Sequence, residues 1–303
     1  MTENRKMHDG EADTDPELVR RLLHAQLPQW ADLPIRRLAS GGTVNAVYRL
    51  GDEFTVRLPF LEGGVACLDL EARWLPQLAP RVPVPIPEVV ALGQPAEGYP
   101  RRWAVHRWME GENLVQGEAA TEPEAEQRLA RDLASFVVAL RKVDLAGGPP
   151  AHRGAPLRTA DEETRGSIDA LRGTDELFDF DALLDAWEAV LHVPDWPGSP
   201  CWSHSDLMPS NLLGANGRLT AVLDFGTVGM ADPAVDLIPA WNLLTPAARQ
   251  TFRDDVDVDD ATWTRGRGWA MSMAAIQLPY YRLTNPVISA NARYVMTQIL
   301  ADG

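Results

Sequence analysis

The chain has 303 residues and a mass of 33.4 kDa, with 28 Lys plus Arg against 43 Asp plus Glu, so its formal net charge is −15. Its length suits one large domain or two lobes, and its 45% hydrophobic and 23% charged residues are the proportions of a folded globular protein. The acidic balance excludes sequence-independent binding to nucleic acid or anionic lipid as an expected role and favours cationic partners. Cys67 and Cys201 are the only cysteines, far apart and in no paired spacing, so neither a disulfide framework nor a zinc site is expected and a cytoplasmic location is the default. The first eighteen residues are polar and acidic with no apolar core, unlike a secretory signal. The longest apolar stretch, Trp269 to Tyr281, is broken by Ser272, Gln277 and Pro279 and is too short to span a membrane.

In chain order, the first fifteen or so residues read as disordered. Strands are expected at Ile35 to Leu38, Asn45 to Leu50, Glu53 to Leu58 and Glu88 to Leu92, punctuated by Gly41, Gly42, Gly51 and the Pro-rich run Pro80 to Pro87. One helix, about Leu68 to Leu78, interrupts them and carries Leu68, Glu71, Leu75 and Leu78 on one face. Beyond Trp108 the pattern turns helical. Leu129, Leu133, Phe136, Val137, Leu140 and Val143 recur at helix spacing behind a possible capping box at Thr121 to Glu124. Further helices are expected at Ala182 to Leu191, Pro233 to Leu244 and Trp263 to Tyr281, with strands only near Leu212 to Phe225. Residues before Trp108 hold 13 basic and 14 acidic side chains, the rest 15 and 29, so the acidic excess sits in the helical part. The expected class is α+β with segregated halves.

Chemistry concentrates in Trp202-Ser203-His204-Ser205-Asp206-Leu207-Met208-Pro209-Ser210-Asn211 and in Val222-Leu223-Asp224-Phe225-Gly226, which read H-x-D-x-x-x-x-N and then D-F-G. Phosphoryl transfer needs a carboxylate to orient a hydroxyl and take its proton, and oxygen ligands for Mg²⁺ that neutralise phosphate charge. Asn211 follows Asp206 by five residues and Asp224 by eighteen, the order and spacing of the catalytic and metal-binding loops of protein-kinase-like enzymes. Each string alone is short enough to occur by chance, Asp224 ending a strand and Asp206 capping a turn. Their combination is not.

On these residues, and on Asp232-Pro233-Ala234-Val235-Asp236-Leu237, Pro239-Ala240-Trp241-Asn242 and the block Arg265 to Tyr281, the chain resembles the aminoglycoside phosphotransferase family, relatives of the protein kinases that phosphorylate small molecules. The resemblance covers most of the chain. It implies a bilobal protein-kinase-like fold, with a small strand-rich N-lobe at residues 1–108 and a larger, mostly helical C-lobe at 109–303, clamping a nucleotide. It further implies Asp206 as catalytic base, Asn211 and Asp224 as Mg²⁺ ligands, and His204 as a structural member of the loop. Ser205 and Ser210 stand where many relatives have glycine, a departure that bears on loop conformation.

Such a site also needs a phosphate-covering loop and a cation on the third strand paired with a helix carboxylate. Small residues in Ser40-Gly41-Gly42-Thr43-Val44-Asn45 would let backbone N–H groups approach phosphates, although the string alone also fits an ordinary hairpin turn. Of the two lysines, Lys6 lies in the polar tail and Lys142 ends a helix in the other half, so neither can supply the cation. Along Glu53 to Leu58 the apolar Phe54, Val56 and Leu58 alternate with Thr55 and Arg57, which makes Arg57 the candidate and Glu71 its partner, since an acidic residue on an apolar helix face must be paired. Val56-Arg57-Leu58-Pro59 resembles family members with V-R-L-P here. A surface strand Arg with a helix-edge Glu is the alternative. Trp103 to Trp108 with Met109-Glu110-Gly111 resembles the hinge that receives the purine edge, with Arg107 and Met109 presenting their backbones; a plain strand and turn is the other reading.

Two features are set aside. The acidic run Asp255 to Asp260 starts like a calcium loop but has Asp260 where glycine is needed and Gly266 where glutamate is needed. Trp241, Trp263, Trp269, Tyr280 and Tyr281 could line a substrate pocket, but at helical spacing most such residues are core, and none is taken as a site residue. The expected activity is transfer of the γ-phosphoryl group of ATP or GTP, with Mg²⁺, to a hydroxyl of a small cationic acceptor of the aminoglycoside type. A macrolide, nucleoside antibiotic or amino alcohol kinase, or a catalytically silent nucleotide-binding relative, is the alternative.

Overall fold

The computed structural model describes residues 12–38, 44–117, 123–174 and 176–302. Residues 1–11, the loop residues Ser40, Gly41, Gly42 and Thr43, and Thr121 of the expected capping box lie outside them. Two units result, Met1–Ala79 with Ile86–Glu110, and Pro80–Pro85 with Gly111–Gly303.

The first unit opens with a helix that the strand-rich reading did not anticipate, α1 (Pro16–Gln26). Its start is encoded locally. Asp15 accepts the Leu18 N–H at 2.6 Å, Pro16 takes the first turn where no N–H is needed, and Leu18, Val19, Leu22 and Leu23 form one buried stripe. The strands β1 (Ile35–Arg37), β2 (Asn45–Leu50), β3 (Phe54–Pro59), β4 (Val89–Gly93) and β5 (Trp103–Arg107) form an antiparallel sheet in the order β1-β2-β3-β5-β4. Tyr48, Leu50, Val56, Leu58, Trp103 and Val105 share a core with the α1 stripe. Between β3 and β4, helix α2 (Glu62–Leu78) begins six residues earlier than its apolar spacing predicts. Gly64 allows this. A Cβ there would lie 2.9 Å from that of Pro59, closer than real Cβ contacts come, so the helix start can press against the end of β3 only without one. Leu68, Glu71, Leu75 and Leu78 of α2 are all buried, the face read from the sequence.

The second unit is mostly helical. After the two-residue β6 (Glu112–Asn113) come α3 (Pro123–Arg141), α4 (Asp161–Arg172) and α5 (Phe180–Leu191), then β7 (Cys201–Ser203), β8 (Leu212–Ala215), β9 (Arg218–Val222) and β10 (Gly229–Ala231). Strands β6, β8 and β9 make one small sheet, and β7 pairs with β10 in another. Four helices follow: α6 (Pro239–Asn242), α7 (Pro246–Val256), α8 (Asp260–Tyr281) and α9 (Pro286–Ala301). The single helix expected over Pro233 to Leu244 is instead a 3₁₀ turn, Pro233–Leu237, followed by α6. Pro239 is the reason, because it has no N–H to continue a ladder begun at Pro233. Helix α8 runs through the centre, with buried residues around most of its circumference, and packs against α4, α5 and α9. Among the described residues no helix is long and apolar enough to cross a membrane.

Candidate active site

In the first unit the alternation along β3 puts Arg57 and Thr55 on the sheet face opposite Val56 and Leu58. Helix α2 lies on that face and turns Glu71 toward it. Arg57 Nη1 stands 3.3 Å from both Glu71 carboxylate oxygens. The register pairing Thr55 with His106 brings a third group, and His106 Nε2 lies 3.1 Å from Glu71 Oε2. Sequence reasoning missed His106. Glu71 and His106 are each 1% exposed, and among the described residues His106 Nδ1 has no hydrogen-bond partner. A carboxylate oxygen can only accept, so Nε2 carries a proton, while Nδ1 finds no acceptor among the described residues that would favour a second one. Burial first, and then the Arg57 charge, hold the His106 pKa below its ordinary value, against the opposing pull of Glu71.

The other sequence candidates of this unit are placed as follows. Asn45 opens β2, opposite Pro59, with its amide oxygen buried and without a donor among the described residues. Arg107 ends β5; its N–H already donates to Glu88 O at 3.0 Å and its guanidinium to the Glu88 side chain at 2.8 Å, so its carbonyl is the backbone group left for a ligand. Trp108 N–H donates to Glu53 O at 2.7 Å, and Met109 follows, half-buried.

In the second unit the loop after β7 is organised by a buried carboxylate. Asp236, in the 3₁₀ turn after β10, accepts the N–H of His204 through Oδ2 and of Ser205 through Oδ1, each at 2.8 Å. Its complete burial raises its pKa, while the two amides pull the other way. Ser205 then turns through φ +65°, a left-handed conformation that favours glycine, and its Oγ donates to Thr227 O at 2.8 Å. The turn delivers Asp206. Its N–H donates to His204 Nδ1 at 3.2 Å, while His204 Nε2 donates to Leu223 O at 2.9 Å, so the imidazole ties the Asp206 turn to the strand that ends at Asp224. Phe225 packs its ring edge-to-face on His204, with centroids 4.7 Å apart.

Both carboxylate oxygens of Asp206 are engaged. Asn211 Nδ2 donates to Oδ2 at 3.1 Å and to the Asp206 carbonyl at 2.9 Å. That leaves the amide oxygen of Asn211 for another ligand. Leu223 N donates to Asn211 O at 2.7 Å, which sets Asp224 beside Asn211; Asp224 is exposed, at φ +60°. An amide oxygen and a carboxylate at adjoining turns suit Mg²⁺, which takes few protein ligands and completes its shell with water and phosphate oxygens.

The fourth contact was not legible in the sequence. Arg153 Nη1 lies 3.0 Å from Asp206 Oδ1 and 3.3 Å from Ser205 O. It comes from the segment between α3 and α4, which runs along β10 through bonds from Ala151 N to Met230 O and from Met230 N to Pro149 O. Gly229 permits that approach, because a Cβ there would stand 2.5 Å from Pro149 O. Nothing local marks Arg153, which is 53 residues from its partner.

Residues 35–269 match the model of the phosphotransferase enzyme family, and the chain belongs to that family. Over 86 residues it is 34% identical to an aminoglycoside 3'-phosphotransferase of Escherichia coli, a match covering 26% of this chain and 31% of that protein. The chain thus spans about a third of the length of that relative. Among solved structures it is similar to the GDP and kanamycin complex of APH(2")-IIia, with a TM-score of 0.72, 20% identity and coverage of 94% of this chain and 99% of that one. It is also similar to macrolide 2'-phosphotransferase MphH from Brachybacterium faecium, with a TM-score of 0.60, 25% identity and coverage of 91% and 97%. The likeness at 20% identity establishes the kinase-like fold alone.

Proposed function

We propose that this member of the phosphotransferase enzyme family moves the γ-phosphoryl group of ATP or GTP to a hydroxyl of a small molecule, with an aminoglycoside-type antibiotic as the leading acceptor class and the cytoplasm as its location. What carries the reading is the fixed carboxylate of Asp206, held by Asn211 and Arg153 at the end of a loop clamped by Asp236. Asp206 orients the acceptor hydroxyl and takes its proton as the oxygen attacks phosphorus and the bond to the leaving nucleoside diphosphate breaks. Asn211 and Asp224 would hold Mg²⁺, which when bound offsets the charge on the phosphates. Arg57, held by Glu71, steadies the phosphates beneath the loop Ser40, Gly41, Gly42, Thr43 and Asn45, and the backbones of Arg107 and Met109 receive the base. Catalysis is then positioning plus electrostatics.

The net charge of −15 supports a cationic acceptor. One local observation favours a second acceptor class. Arg153 sets a positive charge against Asp206, its Nη1 standing 3.0 Å from Oδ1. Such surroundings suit an acceptor with no ammonium group next to the reacting hydroxyl, as in a macrolide. Incubation of the purified protein with labelled ATP or GTP, Mg²⁺ and a panel of aminoglycosides, macrolides and hydroxylated nucleoside antibiotics tests the proposal. Label in one acceptor class is the expected outcome. Nucleotide binding with transfer to none would favour a catalytically silent relative.

A further inference from the structure

The contact between Arg57 and Glu71 is unusual in one respect. A guanidinium can meet a carboxylate fork to fork, with two nitrogens on two oxygens. Here a single nitrogen, Nη1, straddles both oxygens at 3.3 Å. Among the described residues no other hydrogen-bond partner engages the Nε and Nη2 edge of Arg57. The side of the carboxylate nearest β5 is taken by His106, whose Nε2 is 3.1 Å from Oε2.

Three constraints make that arrangement specific. Glu71 is 1% exposed, so its charge must be met by groups of the protein and not by water. His106 is 1% exposed and among the described residues its Nδ1 has no partner, so the ring gains nothing by carrying a second proton and serves Glu71 as a donor through Nε2. Its place is fixed by the strand register, with Thr55 opposite on β3 and Val89 opposite on β4, so the donor cannot move aside to admit a second guanidinium nitrogen.

We infer that His106 is a positioning residue for the phosphate-binding cation: by donating to Oε2 it holds Glu71 end-on to Arg57 and keeps the Nε and Nη2 edge of the guanidinium free for phosphate oxygens. The inference rests on the reading of Arg57 as the cation that meets the nucleotide phosphates. Without the donor, Arg57 can rotate into a fork-to-fork embrace with Glu71, spending on the carboxylate the nitrogens meant for phosphate.

Calorimetric binding of ADP and GDP, compared with adenosine and guanosine, to the full chain with Mg²⁺ tests it. His106→Leu is expected to weaken diphosphate binding about tenfold and to leave nucleoside binding unchanged. His106→Gln, whose amide nitrogen reaches the position of Nε2, should recover most of the loss. His106→Asn, whose amide falls short, should not, and it stands in for His106→Leu if the latter fails to fold. Equal loss of diphosphate and nucleoside would mean a merely structural role and overturn the inference, as would wild-type diphosphate affinity in both His106→Leu and His106→Asn. Arg57→Ala separates the two levels. If it weakens diphosphate binding while His106→Leu and His106→Asn do not, only the part assigned to His106 falls; if it has no effect, the phosphate reading of Arg57 falls with it.

Discussion

The two units solve the same problem, a buried carboxylate, by different means. Asp236 of the second unit is met by backbone amides, two N–H groups of consecutive residues aimed at its two oxygens. Glu71 of the first is met by side chains from two strands, Arg57 and His106. A carboxylate bound to backbone fixes the path of the chain, and everything carried on that path, here Ser205 and Asp206, inherits its position. One bound to side chains fixes only those side chains, and the backbone beneath them is set by the sheet.

The largest test of this contrast is removal of what the fixed path delivers. Asp206→Ala should lower phosphoryl transfer by about three orders of magnitude and spare nucleotide binding, the usual range for loss of a positioned general base; transfer of label and calorimetric nucleotide affinity measure the two effects. Substantial remaining turnover would remove Asp206 as the base. Next comes the clamp. Asp236→Ala leaves two buried amides without acceptors and should cost about 2 to 4 kcal/mol in denaturant unfolding of the full chain, together with loss of transfer. A cost under about 1 kcal/mol would mean that the loop holds its path unaided.

A smaller effect is expected from pH in the first unit. The folded pKa of His106 lies below its ordinary value of 6.5, so the unfolded chain binds the proton more readily between those two values. Stability should therefore be intact above about 6.5 and decline as pH falls through that window, since a charged ring would face Arg57 with its second N–H unpaired. His106→Gln should flatten this part of a plot of Tm against pH; an unchanged slope would assign the loss to other groups. The smallest effect tests the turn itself. Ser205→Gly relieves a left-handed residue, worth about 1 kcal/mol, but gives up the bond to Thr227 O, worth about the same, so stability should stay within about 0.5 kcal/mol. A larger change of either sign would show which of the two dominates.

How much of this was legible depends on whether the cause was local. The spacing of Asp206, Asn211 and Asp224 follows from one turn and one hairpin, and the Asp206 to Asn211 contact at 3.1 Å spans only five residues. Glu71 could be recognised because it shares a helix face with Leu68, Leu75 and Leu78, all buried. Helix α1 was missed although Asp15, Pro16 and its apolar stripe mark it plainly, because the stretch between the acidic tail and the first strand was given no element. The break at Pro239 was equally readable and was passed over in favour of the longer apolar run.

His106 and Arg153 belong to a different category. The sequence by itself determined the class of the fold, the face of each amphipathic element and the order of the acidic and amide groups in the second unit, since periodicity and short spacings act within a single element. Only the tertiary structure decided that β5 would set an imidazole against Glu71 and that a segment leaving α3 would pass β10 and lay an arginine on Asp206. Those contacts join residues 35 and 53 positions apart, and sheet register and backbone approach, not local preference, bring them together.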